Sequence, residues 1–268
     1  MTDKTKIIGI LNLTEDSFSD GQIYLDENKA ISHIEKMINE GCKIIDIGAE
    51  STRSGFDTIA DDIQLERLMP IIKRIKTSFD DVKISIDTRS SNVADIALTE
   101  GASIINDVSA GEYDKNMFSI ISKHNAELII THMPKEHLRK KNMKSSDIVE
   151  DLQKYFNQRI SKAIASDISE KKIIVDPGIS FGKSGEDNIK IIKNIKIFVK
   201  KFERVCLGVS NKRFSSKIFR QLKDKDMHIA SLAITAFATY KGVMFLRVHH
   251  VGANSDALEV AWKTRQST

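Results

Sequence analysis

The chain of 268 residues contains little that would cross-link it, anchor it in a membrane or keep it unfolded. Only two cysteines occur, Cys42 and Cys206, and both lie in apolar stretches beside predicted strands. This usage excludes a disulfide framework and the cysteine spacing of a zinc site, so we expect two buried thiols. No apolar run approaches the length of a membrane span, and no low-complexity tract indicates disorder.

The charge pattern also lacks the features of a nucleic-acid surface. The formal net charge is +4, and basic residues are interleaved with acidic ones without an arginine-rich or aromatic stripe. We interpret the basic excess from Lys135 to Lys144 as a solvated loop. The first residues, Met1 to Lys6, are polar and lead directly into a strand without a signal peptide. We therefore expect a cytoplasmic protein that binds neither nucleic acid nor membrane.

What the sequence does contain is a series of short apolar runs that end in polar residues. Two examples are the runs over 83–87 and 172–176, each followed by an amphipathic helical stretch. Apolar runs of this kind indicate parallel strands buried on both faces. A buried carboxylate or amide costs free energy unless it is paired, so its repetition at strand ends indicates a ligand and hence an enzyme. The residues at these ends are Asn12, Asp46, Asp87, Asn106, Asp176 and the pair Arg247 and His249.

The hydrophobic pattern predicts eight strand–helix units without a linker. The predicted strands span residues 6–13, 44–48, 83–87, 103–107, 127–131, 172–176, 204–208 and 245–248. The predicted helices span residues 27–39, 60–79, 91–99, 115–124, 146–165, 187–200, 227–241 and 254–264. This order predicts an α/β fold, a single (β/α)₈ barrel of the TIM type over residues 1–268. The alternative, an open doubly wound sheet, needs a glycine-rich loop after strand one, but residues 12–21 contain a single glycine.

Alternation of side chains along the strands predicts which polar groups share a face. Ser85 and Asp87 share one face of strand three, and Arg247 and His249 share one face at the end of strand eight. We expect these groups to meet at the carboxyl-terminal mouth of the barrel. Each residue alone could instead cap the following helix, but capping does not account for an arginine and a histidine at one strand end. His250 is predicted to point away from His249, which disfavours a two-histidine metal site.

Six segments, in chain order, carry a resemblance to a known family. They are residues 12–21 (NLTEDSFSDG), 46–53 (DIGAESTR), 85–88 (SIDT), 105–109 (INDVS), 176–183 (DPGISFGK) and 247–249 (RVH). Together they resemble the signatures of dihydropteroate synthase and cover almost the whole chain. The resemblance implies condensation of 6-hydroxymethyl-7,8-dihydropterin diphosphate with 4-aminobenzoate, which yields 7,8-dihydropteroate and diphosphate with the assistance of Mg²⁺. It also implies small-molecule partners and a homodimer.

The resemblance further implies a role for individual residues. The catalytic set is Arg53, Lys212, Arg247 and His249. Pterin would be bound by Asp87, Asn106, Asp176, Lys212 and Arg247. The aminobenzoate would be bound by Thr52, Arg53, Phe181 and Ser210. Diphosphate would be held by Asn12, Arg247 and His249, with Asn12 also contacting the metal ion. These residue types suit the implied roles, since amides and carboxylates accept hydrogen bonds from ring N–H groups and cations stabilise a departing diphosphate.

Several positions depart from the family pattern without removing a residue assigned to substrate or metal. Ser54 replaces a proline, Asn211 replaces an arginine and His250 replaces an aspartate, while Ala49 and Ser180 replace glycines. Ser54 loosens the loop that would border the aminobenzoate, so we hypothesise reduced sensitivity to sulfonamides, the bulkier mimics of that substrate. The alternatives are a pterin-dependent methyltransferase barrel, a catalytically silent pterin-binding paralogue and an unrelated barrel enzyme.

Overall fold

The structure, a computed structural model, describes residues 4–14, 26–51, 58–134, 137, 143–210 and 227–266. The strands are β1 (Lys6–Asn12), β2 (Ile44–Gly48), β3 (Lys83–Asp87), β4 (Ile104–Asp107), β5 (Glu127–Thr131), β6 (Ile173–Asp176), β7 (Cys206–Gly208) and β8 (Phe245–Val248). The α-helices within these ranges are α1 (Glu27–Asn39), α2 (Asp61–Ser78), α3 (Ser91–Thr99), α4 (Met117–Lys123), α5 (Ile148–Ile164), α6 (Gly185–Lys193), α7 (Ile195–Phe202), α8 (Met227–Lys241) and α9 (Val251–Gln266).

The eight strands form one parallel sheet in the order β6-β5-β4-β3-β2-β1-β8-β7. A parallel bridge between Val175 and Val205 joins the two outermost strands of that order and brings the sheet to a nearly closed barrel. The predicted (β/α)₈ barrel is therefore confirmed, and the alternative of an open doubly wound sheet is wrong. Because all strands run in one direction, their carboxyl ends collect at a single mouth.

The barrel interior is apolar in the half that lies away from the mouth. One side chain from each of seven strands forms a buried apolar layer inside the barrel, namely Ile8, Ile44, Ile104, Ile129, Ile174, Cys206 and Phe245. The alternating residues point outward and pack against the helices in the larger core, as Ile45 and Ile47 of β2 do. Residues two positions further along these strands face inward above the apolar layer, at the mouth. The inner layer thus forms the floor on which the site is built.

Three predicted helices differ from the structure by one or two residues at their ends, and two differ more. Side-chain hydrogen bonds account for the two larger differences. The predicted helix over 187–200 is two helices, which meet at Asn194, whose Nδ2 donates to the Lys190 carbonyl at 2.8 Å. The first of them begins at Gly185, because Ser184 and Asp187 form a reciprocal capping box. The last helix begins at Val251 rather than at residue 254, where Asn254 Nδ2 donates to the His250 carbonyl at 2.6 Å.

Both cysteines are free and buried, as predicted. Burial raises the pKa of the Cys42 thiol to about 11. Neither thiol is therefore activated as a nucleophile. No helix in the described ranges combines the length and the apolar character that crossing a bilayer requires.

Candidate active site

The carboxyl ends of four strands meet around the guanidinium of Arg247. Arg247 Nε donates to Asp46 Oδ2, and its Nη2 donates to Asp87 Oδ2 at 2.5 Å. Asn106 Nδ2 donates to the same two oxygens, at 3.2 Å from Asp46 Oδ2 and 3.3 Å from Asp87 Oδ2. The register aligns Asp87 of β3 with Asn106 of β4, which accounts for their contact. We call Asp46, Asp87, Asn106 and Arg247 the mouth cluster.

The mouth cluster is buried, and its electrostatics follow from that burial. Burial raises the pKa of Asp87 to about 7, and the Asp46 charge adds to this rise although Arg247 opposes it. Burial by itself would lower the pKa of Arg247, but the Asp46 and Asp87 carboxylates raise it above its ordinary value. Asn106 Oδ1 is buried and has no hydrogen-bond partner in the described part of the chain. The cluster therefore contains a poised carboxyl, a permanent cation and an unused acceptor.

Asp46 was not among the predicted site residues, although the sequence placed it at a strand end. It is inaccessible to solvent, and its Oδ1 accepts a hydrogen bond from Ser85 Oγ at 2.6 Å. The register pairs Asp46 directly with Ser85, so both point into the barrel on neighbouring strands. The signal that could have identified it is the alternation of β2, because Asp46 lies two residues before Gly48 at the strand end.

Asp176 reaches the same interior from the opposite part of the sheet. It is buried, and its Oδ1 accepts from the Gly178 backbone N–H at 2.8 Å. Burial raises the pKa of the Cys206 thiol well above its ordinary value, and the charges of Asp176 and Asp46 raise it further. Ile174, two residues earlier on β6, belongs to the inner layer, so by strand alternation Asp176 faces inward like the mouth cluster.

A second polar group lies beside the mouth cluster at the end of β8. The His249 backbone N–H donates to Ser210 Oγ at 3.2 Å, and the same hydroxyl lies 3.1 Å from His249 Nδ1. His249 Nε2 lies 3.5 Å from Asn12 Nδ2. The predicted diphosphate residues Asn12 and His249 are therefore neighbours. The His250 ring instead packs against the His228 ring with centroids 4.8 Å apart, so the adjacent histidines diverge as the strand alternation predicts.

Lys183 connects the loops that follow β5 and β6. Its buried Nζ donates to three backbone carbonyls, those of His132 at 3.0 Å, Gly178 at 2.8 Å and Phe181 at 3.1 Å. Phe181, predicted to contact the aminobenzoate, is half-buried, and its ring lies 5.1 Å from the His137 ring in an edge-on arrangement. Lys183 thus fixes the backbone of the loop that presents Phe181.

Three of the predicted site residues, Thr52, Arg53 and Lys212, lie outside the described residues, as do Ser54 and Asn211. Their assignments stay predictions. Six of the predicted residues that the structure does describe form two adjoining groups at the barrel mouth. Arg247 contacts the carboxylates of the first group, whereas His249 contacts Ser210 and Asn12 in the second.

Asn12 is the residue at the mouth that could contact a divalent metal ion arriving with a phosphate ligand. Within the described ranges, no three histidine, cysteine or acidic side chains come together as a metal-binding group. Asn12 offers a single neutral oxygen, and Gly48 places no side chain against it, whereas a Cβ at that position would contact Asn12 Oδ1 at 3.7 Å. Mg²⁺ keeps several waters and binds through few protein oxygens together with substrate phosphates.

Comparison with known proteins identifies the family. Residues 8–249 match the profile of the pterin-binding enzyme family. Dihydropteroate synthase from Streptococcus pyogenes serotype M6 is 37% identical over 255 residues, which covers 95% of this chain and 93% of that protein. Dihydropteroate synthase from Bacillus subtilis is 37% identical over 249 residues, which covers 93% of this chain and 85% of that protein.

Solved structures agree with this assignment. The structure of Clostridium difficile dihydropteroate synthase in the presence of pteroic acid superimposes with a TM-score of 0.90 at 35% identity, covering 98% of this chain and 97% of that one. Taken with the family profile and the inward-facing mouth cluster, these similarities confirm the resemblance seen in the sequence motifs. The chain belongs to the pterin-binding enzyme family, and the relatives named above are dihydropteroate synthases.

Proposed function

We propose that the barrel mouth joins 6-hydroxymethyl-7,8-dihydropterin diphosphate to 4-aminobenzoate, the dihydropteroate synthase reaction of folate biosynthesis. The observation that carries this proposal is the mouth cluster, in which an arginine bridges two buried carboxylates beside an amide with an unused oxygen. A planar heterocycle with several ring N–H groups matches such a set of acceptors.

Asp87, Asn106 and Asp176 would form hydrogen bonds with the edge of the pterin. Support comes from the burial of all three side chains and from Asn106 Oδ1, which has no partner among the described residues. A buried acceptor of this kind costs free energy until a donor arrives, so a ligand N–H at this position stabilises the site. Lys212 is proposed to contact the pterin on the basis of the sequence motif.

The aminobenzoate would lie between Thr52, Arg53, Phe181 and Ser210. Support comes from the half-buried ring of Phe181, which Lys183 holds through the loop backbone, and from Ser210 beside His249. Because this pocket is built largely from loops, we expect it to be completed when the pterin diphosphate binds. Aminobenzoate should then bind more tightly in the presence of pterin and Mg²⁺-diphosphate than to the free protein.

The reaction breaks the bond between the pterin methylene carbon and the diphosphate oxygen, and the bonding electrons leave with diphosphate. Asn12, Arg247 and His249 are proposed to hold the diphosphate as its negative charge grows. The resulting cation is delocalised over the pterin, and the aminobenzoate nitrogen forms the new carbon–nitrogen bond and then loses a proton to solvent. Bound Mg²⁺, proposed to be held by Asn12 together with diphosphate oxygens, would neutralise part of the departing charge.

A diphosphate-release assay with both substrates tests this proposal. We expect diphosphate and 7,8-dihydropteroate in equal amounts, with a lower rate when Mg²⁺ is chelated. Pterin binding without product would instead indicate the catalytically silent paralogue. Methyl transfer from a pterin donor would indicate the methyltransferase barrel. Neither alternative has a specific observation in its favour.

A homodimer is proposed from the outward face of α8. The exposed positions of this helix are Ile229, Ala233, Phe237 and Tyr240, all of which are apolar or aromatic and recur at helical spacing. Ile229 remains 62% exposed, an unusual exposure for isoleucine. An exposed helix face made of apolar and aromatic side chains is typical of a protein–protein contact, and a second copy of the chain is the proposed cover.

Sedimentation of an Ile229→Lys variant tests the dimer. We expect a dimer for the wild-type chain and a monomer for the variant, because a desolvated lysine opposes association. The matched control is Ile189→Lys on α6, where isoleucine is also exposed. Dissociation of both variants, or of neither, would contradict α8 as the interface.

We also propose that residues 1–268 form a single domain and that the protein is cytoplasmic. The two free thiols support the cytoplasmic location.

A further inference from the structure

Glu50 and Arg89 form an ion pair at the base of the loop between β2 and α2, with Glu50 buried and Arg89 partly buried. Arg89 Nε donates to Glu50 Oε2 at 2.9 Å, and Arg89 Nη2 donates to Glu50 Oε1 at 3.2 Å. The Glu50 side chain is only 5% exposed and the Arg89 side chain 12% exposed. Glu50 belongs to the second sequence motif, but neither the sequence nor the proposed reaction assigns it a role.

The same pair connects both ends of the segment that follows β2. Arg89 Nη2 also donates to Thr58 Oγ1 at 2.8 Å. Glu50 Oε1 in turn accepts from the Ile59 backbone N–H at 3.3 Å. Glu50 precedes residues 52–57 and Thr58 follows them, so a single arginine from the loop after β3 fastens the two stems of this segment together.

The pair also contacts a third loop, the one that follows β4. The Arg89 guanidinium carbon lies 4.3 Å from the centroid of the Tyr113 ring, in the loop after β4. A cavity of about 350 Å³ adjoins the pair and is lined by Thr58, Gln64 and Tyr113 among others. Beside this cavity, the hydrogen bond from Arg89 holds the Thr58 side chain, while Glu50 and Gln64 hold the backbone of Ile59.

Stability alone is a poor reason to bury such a pair. Desolvating two charges offsets most of their attraction, and an apolar pair of similar volume is often as stable. A planar guanidinium with several fixed donors is, however, well suited to holding two segments in one geometry. We propose that Arg89, fixed by Glu50, is a positioning residue that sets the affinity for 4-aminobenzoate. This rests on the proposed function, in which Thr52 and Arg53 contact that substrate.

Pterin binding should not depend on the Glu50–Arg89 pair. Thr88 lies between Asp87 and Arg89, and its backbone N–H donates to the Asn106 carbonyl at 3.2 Å. The Thr88 hydroxyl donates to Gln64 Oε1 at 3.2 Å. These bonds hold the backbone beside Asp87 without the Arg89 side chain, so loss of Arg89 should leave pterin binding largely intact.

The test uses the double variant Glu50→Gln with Arg89→Ala, which avoids leaving a buried, uncompensated carboxylate. We expect the KM for 4-aminobenzoate to rise about tenfold, equivalent to about 1.4 kcal/mol, while the KM for the pterin diphosphate changes less than twofold. Arg89→Lys should give an intermediate KM for 4-aminobenzoate, since the lysine ammonium keeps the charge but lacks the planar set of donors of a guanidinium. The matched control is Arg74→Ala on α2, whose arginine pairs with Glu27 at 2.8 Å on the surface.

Two further readouts separate this inference from the proposed function. Product formation by the wild-type chain tests the function alone. Cleavage by trypsin after Arg53, followed by mass spectrometry, tests the anchoring without any substrate. We expect cleavage at Arg53 to be about tenfold faster in the double variant and unchanged in Arg74→Ala. An unchanged cleavage rate, an unchanged aminobenzoate KM, or equal rises in the KM of both substrates would each overturn the inference.

Discussion

The barrel has a small charged cluster at each end, and the two clusters contain the same kinds of groups in inverse proportion. At the mouth, one cation, Arg247, lies between the carboxylates of Asp46 and Asp87. At the opposite end, one carboxylate, Glu127, lies between two cations. Its Oε1 is 2.7 Å from Lys83 Nζ, and its Oε2 contacts Arg204. Lys83 and Glu127 are the first residues of β3 and β5.

Solvent makes the two clusters differ. The Asp46 side chain is inaccessible, whereas the Lys83 side chain is 57% exposed. Burial raises the pKa of Asp87 to about 7 despite its arginine partner. Partial burial of Glu127 would raise its pKa too, but hydrogen bonds from Lys83 and Arg204 lower it overall. Charges near water thus contribute a small amount of stability, while the same kinds of charges in the interior have shifted pKa values that suit a functional site.

Removing the arginine from each cluster should give the largest contrast. Arg247→Gln leaves two buried carboxylates without a cation, so we expect a loss of about 3–5 kcal/mol in the free energy of unfolding. Arg204→Gln should cost about 0–1 kcal/mol, because Lys83 and solvent still surround Glu127. Urea denaturation measures both values. Equal losses in the two variants would mean that burial does not distinguish the clusters.

Neutralising the carboxylates should separate binding from stability. We expect Asp87→Asn and Asp176→Asn each to weaken pterin binding by about 1.5–3 kcal/mol, the contribution of a charge-assisted hydrogen bond, while the fold survives. Glu127→Gln should leave pterin affinity unchanged. Calorimetry with the pterin measures these affinities, and circular dichroism checks the fold. Unchanged affinity in both mouth variants would contradict the pterin assignment.

The two carboxyls should also respond to pH in opposite directions. A raised pKa means that folded Asp87 holds its proton more tightly than the unfolded chain does. Its contribution to stability is therefore largest at low pH and is lost as pH rises through about 7. The lowered pKa of Glu127 gives a contribution that is present at neutral pH and lost as pH falls through the folded value.

Unfolding free energies between pH 3 and pH 8, in the wild type and in Asp87→Asn and Glu127→Gln, measure these slopes. Pterin affinity should likewise weaken below about pH 7, where Asp87 becomes protonated and loses acceptor capacity, and Asp87→Asn should abolish that dependence. A pterin affinity that does not vary with pH in the wild type would exclude Asp87 as the titrating acceptor.

The smallest effect on pterin binding is expected in the apolar layer between the clusters. Ile174 lies two residues before Asp176 on the inner face of β6. Ile174→Val removes one methylene from a packed layer and should cost about 1 kcal/mol of stability. Pterin affinity should not change, because the polar groups above are held by their own hydrogen bonds. A large fall in affinity would show that the floor also shapes the site.

Patterns within single segments were sufficient for most of the fold. The bounds of β2, β3, β5 and β8 and of α1, α3 and α8 agree with those predicted, because hydrophobic periodicity and caps are local. The prediction was wrong where one side chain redirects the backbone, as Asn194 does between α6 and α7. Such a bond competes with helix continuation, and periodicity does not reveal it.

The site was predictable as a set of strand ends but not as a set of contacts. Alternation placed Asp87, Arg247 and His249 at the mouth, and the motifs added the chemistry that the resemblance implied. The sequence did not show that Arg247 would bridge Asp46 and Asp87, which are 201 and 160 positions away. Nor did it connect Glu50 with Arg89, since these residues lie on different loops.

The sequence by itself determined the barrel, because eight buried parallel strands with short connections have few other ways to cover their apolar faces. It also determined the family, because six motifs in chain order have that specificity. Only the tertiary structure decided which charges are buried together, which carboxyl has a pKa near 7 and which arginine fastens a loop. Those properties depend on distance and solvent exposure, and both arise when separate strands are brought to one mouth.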